Sequence, residues 1–254
     1  MKIYLRAVCL AILFIGNINI AFAQLDSVAI DSQKVDATQP SFLKKAIVPS
    51  VLLSYGALSL GSGKLRQFDR YVNNSTIGPK GYAGSVDDYL RYGPIAAVYG
   101  LDLIGIKAKN NFIDRSAMLF ISMSLTSAVV TFTKHNIHRL RPDASGISSF
   151  PSGHTAIAFT SAEFMHQEYG DKSVWYSVVG YGAATATGVL RLYHHVHWFS
   201  DVVMGAGYGI LATKLSYLIY PYIKNIFTKH KVNSLLVMPT LQDNLPGFAI
   251  SLNL

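Results

Sequence analysis

The stretch SSFPSGHTA, Ser148 to Ala156, interrupts an apolar chain and decides how its central part folds. Pro151 ends the structure before it, and a small polar residue is suited to cap the helix that follows. That helix is predicted to begin near Gly153, where free backbone N–H groups attract an anion, above all phosphate. His154 lies in the first turn, where it is suited to give or take a proton. The same residues also form ordinary turns, so a phosphate site and a plain turn both stay open.

Apolar runs surround this stretch. Hydrophobic residues make up 50% of the 254 residues and charged residues 14%, against roughly 25% charged residues in soluble domains. The length and small-residue content of the runs predict helices, and therefore an all-α fold. The runs are Ala46–Gly61, Tyr92–Ile106, Ser116–Thr133, Thr155–Met165, Val174–Leu190 and Val202–Tyr220, and among their connections only Ser62–Leu90 is a long loop.

The length of these runs does not decide between a membrane-embedded and a soluble bundle. A complete membrane span needs about 20 apolar residues. Only Ser116–Thr133 and Val202–Tyr220 approach that length, and the run Thr155–Met165 contains Glu163. A membrane-embedded helical bundle and a soluble periplasmic bundle both fit this pattern.

The two ends of the chain differ from its middle. Residues 1–23 have a basic start, an apolar core and the sequence Ala21-Phe-Ala23, which predict a cleaved export signal in preference to an uncleaved anchor. Residues 24–43 are a predicted polar linker. The single cysteine, Cys9, lies within the signal, so the mature chain is predicted to have no thiol chemistry. In the tail, residues 232–254, alternating apolar residues around a turn-prone segment predict a small β-hairpin.

The charge balance narrows the choice of partners. The formal net charge is +8, and the basic residues are scattered among the loops. Export argues against nucleic acid as a partner, whereas an anionic phospholipid or a phosphorylated substrate fits the positive charge.

The segment KHNIHRLRPD, Lys134 to Asp143, follows an apolar run directly and is rich in cations. A positive flank of a membrane helix is the common use of such a cluster. A more specific interpretation rests on Arg141, which precedes Pro142 and is held for bidentate contact with a phosphate, with Lys134 adding a point charge.

The segment VLRLYHHVHWFSDVVMG, Val189 to Gly205, contains a second group of candidate residues. His197 and Asp201 are four residues apart and are predicted to share one helix face. A carboxylate on one imidazole nitrogen leaves the other nitrogen free to act as a nucleophile. His194 and His195 could join these two residues in a metal site, although the segment has no H-E-x-x-H motif and no cysteine.

Together the three segments resemble the type 2 phosphatidic acid phosphatase (PAP2) family, which shares a fold with bacterial acid phosphatases and vanadium haloperoxidases. That family has K-x6-R-P, then P-S-G-H, then S-R-x5-H-x3-D. The matching residues here are Lys134, Arg141, Pro142, Pro151 to His154, Arg191, His197 and Asp201. One position departs, because Leu190 stands where the family has serine before the arginine. The flanking helix pattern extends the resemblance, and residues 44–231 are predicted to form the phosphatase domain.

The resemblance implies a PAP2-type helical bundle and a role for each matching residue. His197 is expected to form a phosphohistidine, with Asp201 orienting it and His154 protonating the leaving alcohol. The phosphoryl oxygens are expected to be held by Lys134, Arg141, Ser152, the Gly153 N–H and Arg191. Such a site needs no metal and no cofactor, since phosphoryl transfer depends mainly on positioning and electrostatics.

The distribution of positive charge predicts which side of the membrane the catalytic loops face. If the last five apolar runs cross, the catalytic loops lie opposite a set of basic residues, as the positive-inside rule requires. These residues are Lys107, Lys109, Arg115, Lys224, Lys229 and Lys231. Ala46–Gly61, which contains Pro49, is then predicted to be interfacial or re-entrant. The site would face the periplasm from the inner membrane of a bacterial cell envelope.

The expected substrates are lipid phosphates at that surface, of the lipid A, undecaprenyl pyrophosphate or phosphatidylglycerophosphate class. Three alternatives stay open. They are a soluble, non-specific periplasmic acid phosphatase, a vanadate-dependent haloperoxidase, and a lipid-binding or transport protein that retains an inactive phosphate site.

Overall fold

A computed structural model describes residues 42–78, 86–229, 235–242 and 245–252. The predicted export signal, residues 1–23, lies outside the described residues, as does the linker up to residue 41. The chain divides into two compact units, Met1–Ser216 and Tyr217–Leu254. The domain boundaries predicted at residues 44 and 231 stay predictions.

The described residues are mostly helical, as the apolar runs predict. The helices are α1 (Phe42–Ser59), α2 (Gly63–Ser75), α3 (Val86–Leu90), α4 (Gly93–Leu103), α5 (Phe112–Asn136), α6 (Gly153–Tyr169), α7 (Val174–Tyr193) and α8 (Phe199–Lys229). In the second unit, strands β1 (Leu235–Gln242) and β2 (Leu245–Leu252) are antiparallel, with Leu235 opposite Leu252. The predicted hairpin falls on these strands, but residues 243–244 at its turn lie outside the described residues, and we keep it as a prediction.

Within the part of the chain that the structure describes, two helices are long and apolar enough to cross a membrane, namely α5 and the part of α8 at Phe199–Ile226. The first begins at the N-cap Asn111, whose Oδ1 accepts a hydrogen bond from the Asp114 N–H at 2.9 Å. Helices α1 and α2 pass the same test only as a pair, bent by 97°, so up to three spans fit by length and composition.

The segment Ser62–Leu90 is not the long loop that the sequence analysis predicted, because it contains α2 and α3. A search for apolar runs misses α2, since its residues are largely polar. Its pattern is helical nonetheless: Arg66, Asp69, Arg70 and Asn73 follow i, i+3, i+4, i+7 spacing and share one face. The N-cap is Ser62, whose Oγ accepts from the Leu65 N–H.

Small residues bring the helices that carry the motifs close together. Ala158, Ala162 and Ala184 are buried where α6 packs on α7. A Cβ atom on Gly205 would lie 2.5 Å from the carbonyl oxygen of Ser152, so only glycine allows α8 to approach the start of α6 this closely. This contact places the second and third motifs side by side.

The interior of the bundle is unusually polar. Thr126 and Thr160 hydrogen-bond to each other at 2.8 Å, and Ser122 and Ser216 do so at 2.7 Å. Glu163 is fully buried and accepts from Lys214 Nζ at 2.8 Å, from Gln167 and from Tyr181. These partners compensate the cost of burying a carboxylate in an apolar helix.

Candidate active site

The second motif forms the capped helix start that the sequence predicts. Helix α6 begins at Gly153, and the Oγ of its N-cap Ser152 accepts from the Thr155 N–H at 3.4 Å. The Ser152 N–H donates to the main-chain oxygen of Asp201 at 3.0 Å. The cap is therefore hydrogen-bonded directly to the first turn of α8.

Contrary to the prediction, His197 does not share a helix face with Asp201, because α8 begins only at Phe199 and His197 lies in the loop between α7 and α8. Its side chain is 2% exposed. Burial lowers the pKa of His197 to about 4, although Asp201 acts in the opposite direction. Lys134 and Arg191 lie near enough to lower the pKa further. The imidazole is consequently neutral near pH 7, which is the form that a nucleophile requires.

Asp201 lies beside His197 but is held mainly by other residues. The Nδ1 atom of His197 is 3.6 Å from Asp201 Oδ2, beyond hydrogen-bond distance. The carboxylate accepts instead from Ser149 Oγ at 2.5 Å, from the Trp198 N–H at 2.8 Å and from Arg139 Nη1 at 2.8 Å. Asp201 is therefore fixed in place, and a small movement of the His197 ring would complete the hydrogen bond.

Arg139 connects this carboxylate to α2. Its Nη2 atom donates to Asp69 Oδ2 at 2.7 Å, and Asp69 is 1% exposed. Asp69 also accepts from the N–H and the Oγ of Ser200, at 2.9 Å and 2.7 Å. Sequence reasoning missed Asp69, Ser149 and the individual role of Arg139. The polar stripe on α2 is the one signal that could have revealed Asp69.

Two further predicted groups, His154 and Arg191, face carboxylates from α3. Asp88 Oδ1 lies 2.7 Å from Nε2 of His154. Arg191 Nη1 donates to Asp87 Oδ2 at 2.6 Å, with both side chains almost fully buried. Burial and the neighbouring Arg191 lower the pKa of His154, and the hydrogen bond to Asp88 partly restores it. Sequence reasoning also missed Asp87 and Asp88.

Lys134 lies in the last turn of α5, and Arg141 lies in the segment between α5 and α6. Lys134 Nζ donates to the carbonyl oxygen of Ser148 at 2.5 Å. A Cβ atom on Gly153 would lie 4.0 Å from Lys134 Cε, so this side chain passes close to the free N–H groups of α6. The main-chain N–H of Arg141 donates to Gly146 at 2.9 Å. The structure thus brings all three motifs together around the N-terminus of α6.

The alternative metal set is not assembled. His195 Nδ1 lies 2.7 Å from Asn73 Oδ1, so this ring is engaged with α2. Within the described ranges, no three His, Cys, Asp or Glu side chains are grouped to hold a metal ion.

Comparison with known proteins gives a family match for the part of the chain that contains the motifs. The family model for the PAP2 superfamily matches residues 116–225, a range that contains all three motifs. The resemblance inferred from the motifs is confirmed over this segment of the chain.

Individual relatives match parts of the chain. Lipid A 1-phosphatase from Porphyromonas gingivalis is 48% identical over 99 residues, which are 39% of this chain and 22% of that protein. This chain therefore spans only 22% of the length of that curated relative. The crystal structure of Aquifex aeolicus LpxE has a TM-score of 0.45 and 22% identity, covering 60% of this chain and 93% of that one. A transmembrane PAP2-type phosphatidylglycerolphosphate phosphatase from Bacillus subtilis has a TM-score of 0.46 and 19% identity, covering 74% and 98%.

Proposed function

We propose that the protein is a PAP2-type phosphatase that hydrolyses phosphate monoesters or pyrophosphates of envelope lipids. The observation that carries the proposal is the placement of the buried, neutral His197 beside a fixed carboxylate and next to the cationic start of α6. The PAP2 match over residues 116–225 supports this chemistry.

In the proposed reaction, Nε2 of His197 attacks the phosphorus atom, because Nδ1 faces Asp201. The bond from phosphorus to the leaving oxygen breaks, and this oxygen takes a proton from His154. Water then attacks the phosphohistidine, gives a proton back to His154 and releases inorganic phosphate. Asp201 stabilises the positive charge on the His197 ring while the phosphoryl group is attached.

Five groups are proposed to hold the phosphoryl oxygens as charge moves onto the leaving group. They are Lys134, Arg141, Arg191, Ser152 and the Gly153 N–H. Arg191 acts with Asp87 as its positioning carboxylate, which fixes the guanidinium plane. No metal or cofactor takes part in the proposed chemistry.

We further propose that the bundle is embedded in the bacterial inner membrane. The distribution of polarity supports this placement, because Phe120 on α5 is 73% exposed whereas Thr126 on the same helix is fully buried. Val179 on α7 is also largely exposed. Apolar residues outside and hydroxyl groups inside suit a lipid solvent, in which polar side chains must find partners within the protein.

The proposed orientation places the catalytic loops in the periplasm, after cleavage of residues 1–23. The test uses the C9S variant, in which an introduced cysteine is the only thiol. Ile147→Cys in the catalytic loop should react with a membrane-impermeant maleimide on intact spheroplasts, since Ile147 is 57% exposed. Lys107→Cys, in the α4–α5 loop, should react only after lysis. Reversed labelling would contradict the orientation, and labelling of both without lysis would favour the soluble bundle.

The substrate class is proposed to be a lipid phosphate, with the lipid A class favoured by the P. gingivalis relative. The test measures phosphate release from lipid A, undecaprenyl pyrophosphate, phosphatidylglycerophosphate and soluble aryl phosphate. His197→Ala should abolish release and the acid-labile phosphoenzyme. His135→Ala, which removes an exposed histidine near the end of α5, is the matched control and should retain activity. Lipid binding without phosphate release would favour the lipid-binding alternative.

The tail, residues 232–254, is proposed to form a hairpin that takes no part in catalysis. A chain ending at residue 231 should therefore keep its phosphatase activity, and loss of activity in a folded truncation would contradict this proposal.

A further inference from the structure

A cavity of about 290 Å³ lies between α2 and the loop that joins α5 to the catalytic segment. Its polar lining is basic and consists of Arg66, Arg70, His138 and Arg139. Among the described residues that line it, none is acidic. The cavity therefore offers excess positive charge next to, but outside, the group of residues that carries the three motifs.

The charges in the cavity are held in different ways. The Arg66 guanidinium donates to the main-chain oxygens of Ser59 and Leu60 at the end of α1, which orient it. Arg139 is shared between Asp69 and Asp201. Arg70 lies one turn after Arg66 on the same face of α2 and is exposed. Arg70 is thus the cation best placed to meet an incoming anion.

Apolar groups complete the lining. Leu60, Ile137 and Leu140 contribute aliphatic surface, and Trp198 contributes an aromatic ring. The Trp198 ring is fixed, because its Nε1 donates to the carbonyl oxygen of Leu140 at 2.8 Å and the Arg139 guanidinium lies 5.6 Å from its centroid. A wall of this kind suits an anion that belongs to an amphiphile more than a fully hydrated ion.

Arg139 links the cavity to the proposed nucleophile. It lines the cavity, and its Nη1 donates to Asp201, whose Oδ2 is 3.6 Å from His197 Nδ1. We propose that the cavity is a second anion subsite, which binds another phosphate group of the same lipid while His197 attacks the first. This inference rests on the proposed phosphatase function, and it makes lipids with two phosphate groups the preferred substrates.

The kinetic test compares phosphatidylglycerophosphate with phosphatidic acid in detergent micelles. Both carry a phosphate monoester, but only the first has a second phosphate group. The parent enzyme should prefer phosphatidylglycerophosphate in kcat/KM by roughly tenfold, as expected for charge-assisted hydrogen bonds. Arg70→Gln should bring the ratio close to one, and Arg70→Lys should restore part of it. Lys64→Gln removes an equal charge from an exposed site on α2 outside the cavity lining and should leave both rates unchanged.

A binding test separates the subsite from catalysis. In the H197A, W175F double variant Trp198 is the only tryptophan, so its fluorescence reports on the cavity wall. Phosphatidylglycerophosphate should bind roughly tenfold more tightly than phosphatidic acid, and adding Arg70→Gln should remove the difference. Inorganic phosphate alone should have little effect. Thermal unfolding of each variant in detergent verifies that it is folded.

Several results would overturn the subsite. Equal affinity for the two lipids would do so, as would equal losses from Arg70→Gln and Lys64→Gln, which would indicate general surface attraction. A response to inorganic phosphate at the lipid concentrations would mean that the cavity takes free phosphate. If the parent hydrolyses neither lipid but the Arg70-dependent binding difference persists, the proposed function fails and the subsite stands.

Discussion

Two regions of the molecule contribute groups to the candidate site that pair with one another. The segment from Lys134 to Asp201 supplies the imidazoles and most of the cations that would meet a phosphate. Helices α2 and α3 supply carboxylates that hold these groups, and Asp69 and Asp87 are 1% and 0% exposed. The comparison teaches that clustered cations, which repel one another, are stabilised here by buried carboxylates from elsewhere in the chain.

The largest expected effect in this comparison is that of Asp201→Asn, in the motif segment. The amide keeps the shape but cannot stabilise the positively charged ring of a phosphorylated His197. We expect kcat to fall by about 10³-fold or more. Asp69→Asn also replaces a carboxylate by an amide, but Asp69 acts on Asp201 indirectly, through Arg139. We therefore expect kcat to fall by about 10- to 100-fold. Steady-state phosphate release measures both. Equal losses would mean that the two regions are not functionally distinct.

The next effect concerns stability. Asp87→Asn removes the carboxylate that accepts a hydrogen bond from the buried Arg191 guanidinium. Breaking a buried ion pair in this way is expected to cost about 3–5 kcal/mol. Asp171→Asn breaks the exposed pair with Lys109 and should cost at most about 1 kcal/mol. Unfolding in detergent measures both, and similar costs would show that the α3 carboxylate does not stabilise the fold.

A smaller effect is expected in the pH dependence. The proposed reaction needs neutral His197, whose pKa is about 4, and protonated His154, whose pKa burial and Arg191 lower. Activity should therefore be lost as the pH falls through about 4 and as it rises through the His154 pKa. Asp88→Asn removes the partner that raises the His154 pKa, so the alkaline limb should move to lower pH.

The pH profile of kcat/KM on one substrate tests this shift, since ionisation of the substrate cancels between the two enzymes. Arg91 also faces His154 and lowers its pKa, so Arg91→Gln should move the same limb in the opposite direction. An alkaline limb that moves in neither variant would argue that His154 is not the proton donor.

The smallest effect is expected at Leu190, where the family motif has serine. Leu190 lies in the last turn of α7 next to Arg191. Leu190→Ser would add at most one neutral hydrogen bond to the phosphate, so kcat/KM should change by less than about tenfold. A gain in kcat/KM of more than about tenfold would contradict this ranking, because Leu190 would then affect the rate as strongly as the α2 carboxylate is expected to.

Local signals explain why the motif segment could be predicted. The start of α6 at Gly153, the cap at Ser152 and the helices at the apolar runs follow from residues close in sequence. Capping, the proline at position 151 and helical periodicity act over a few residues. The presence of α2 was missed because its polar face packs on loops that lie far away in sequence, which no apolar periodicity reveals.

By itself the sequence determined the helical class, the three motifs and the residues proposed to carry the chemistry, because spacing along one chain is enough to identify them. Only the tertiary structure decided that Asp201 is held by Ser149 and Arg139, and that Asp87 and Asp88 face Arg191 and His154. These pairs join residues 52 to 104 positions apart. Their energy depends on burial and on distances of a few ångströms between side chains, which exist only once the helices are packed.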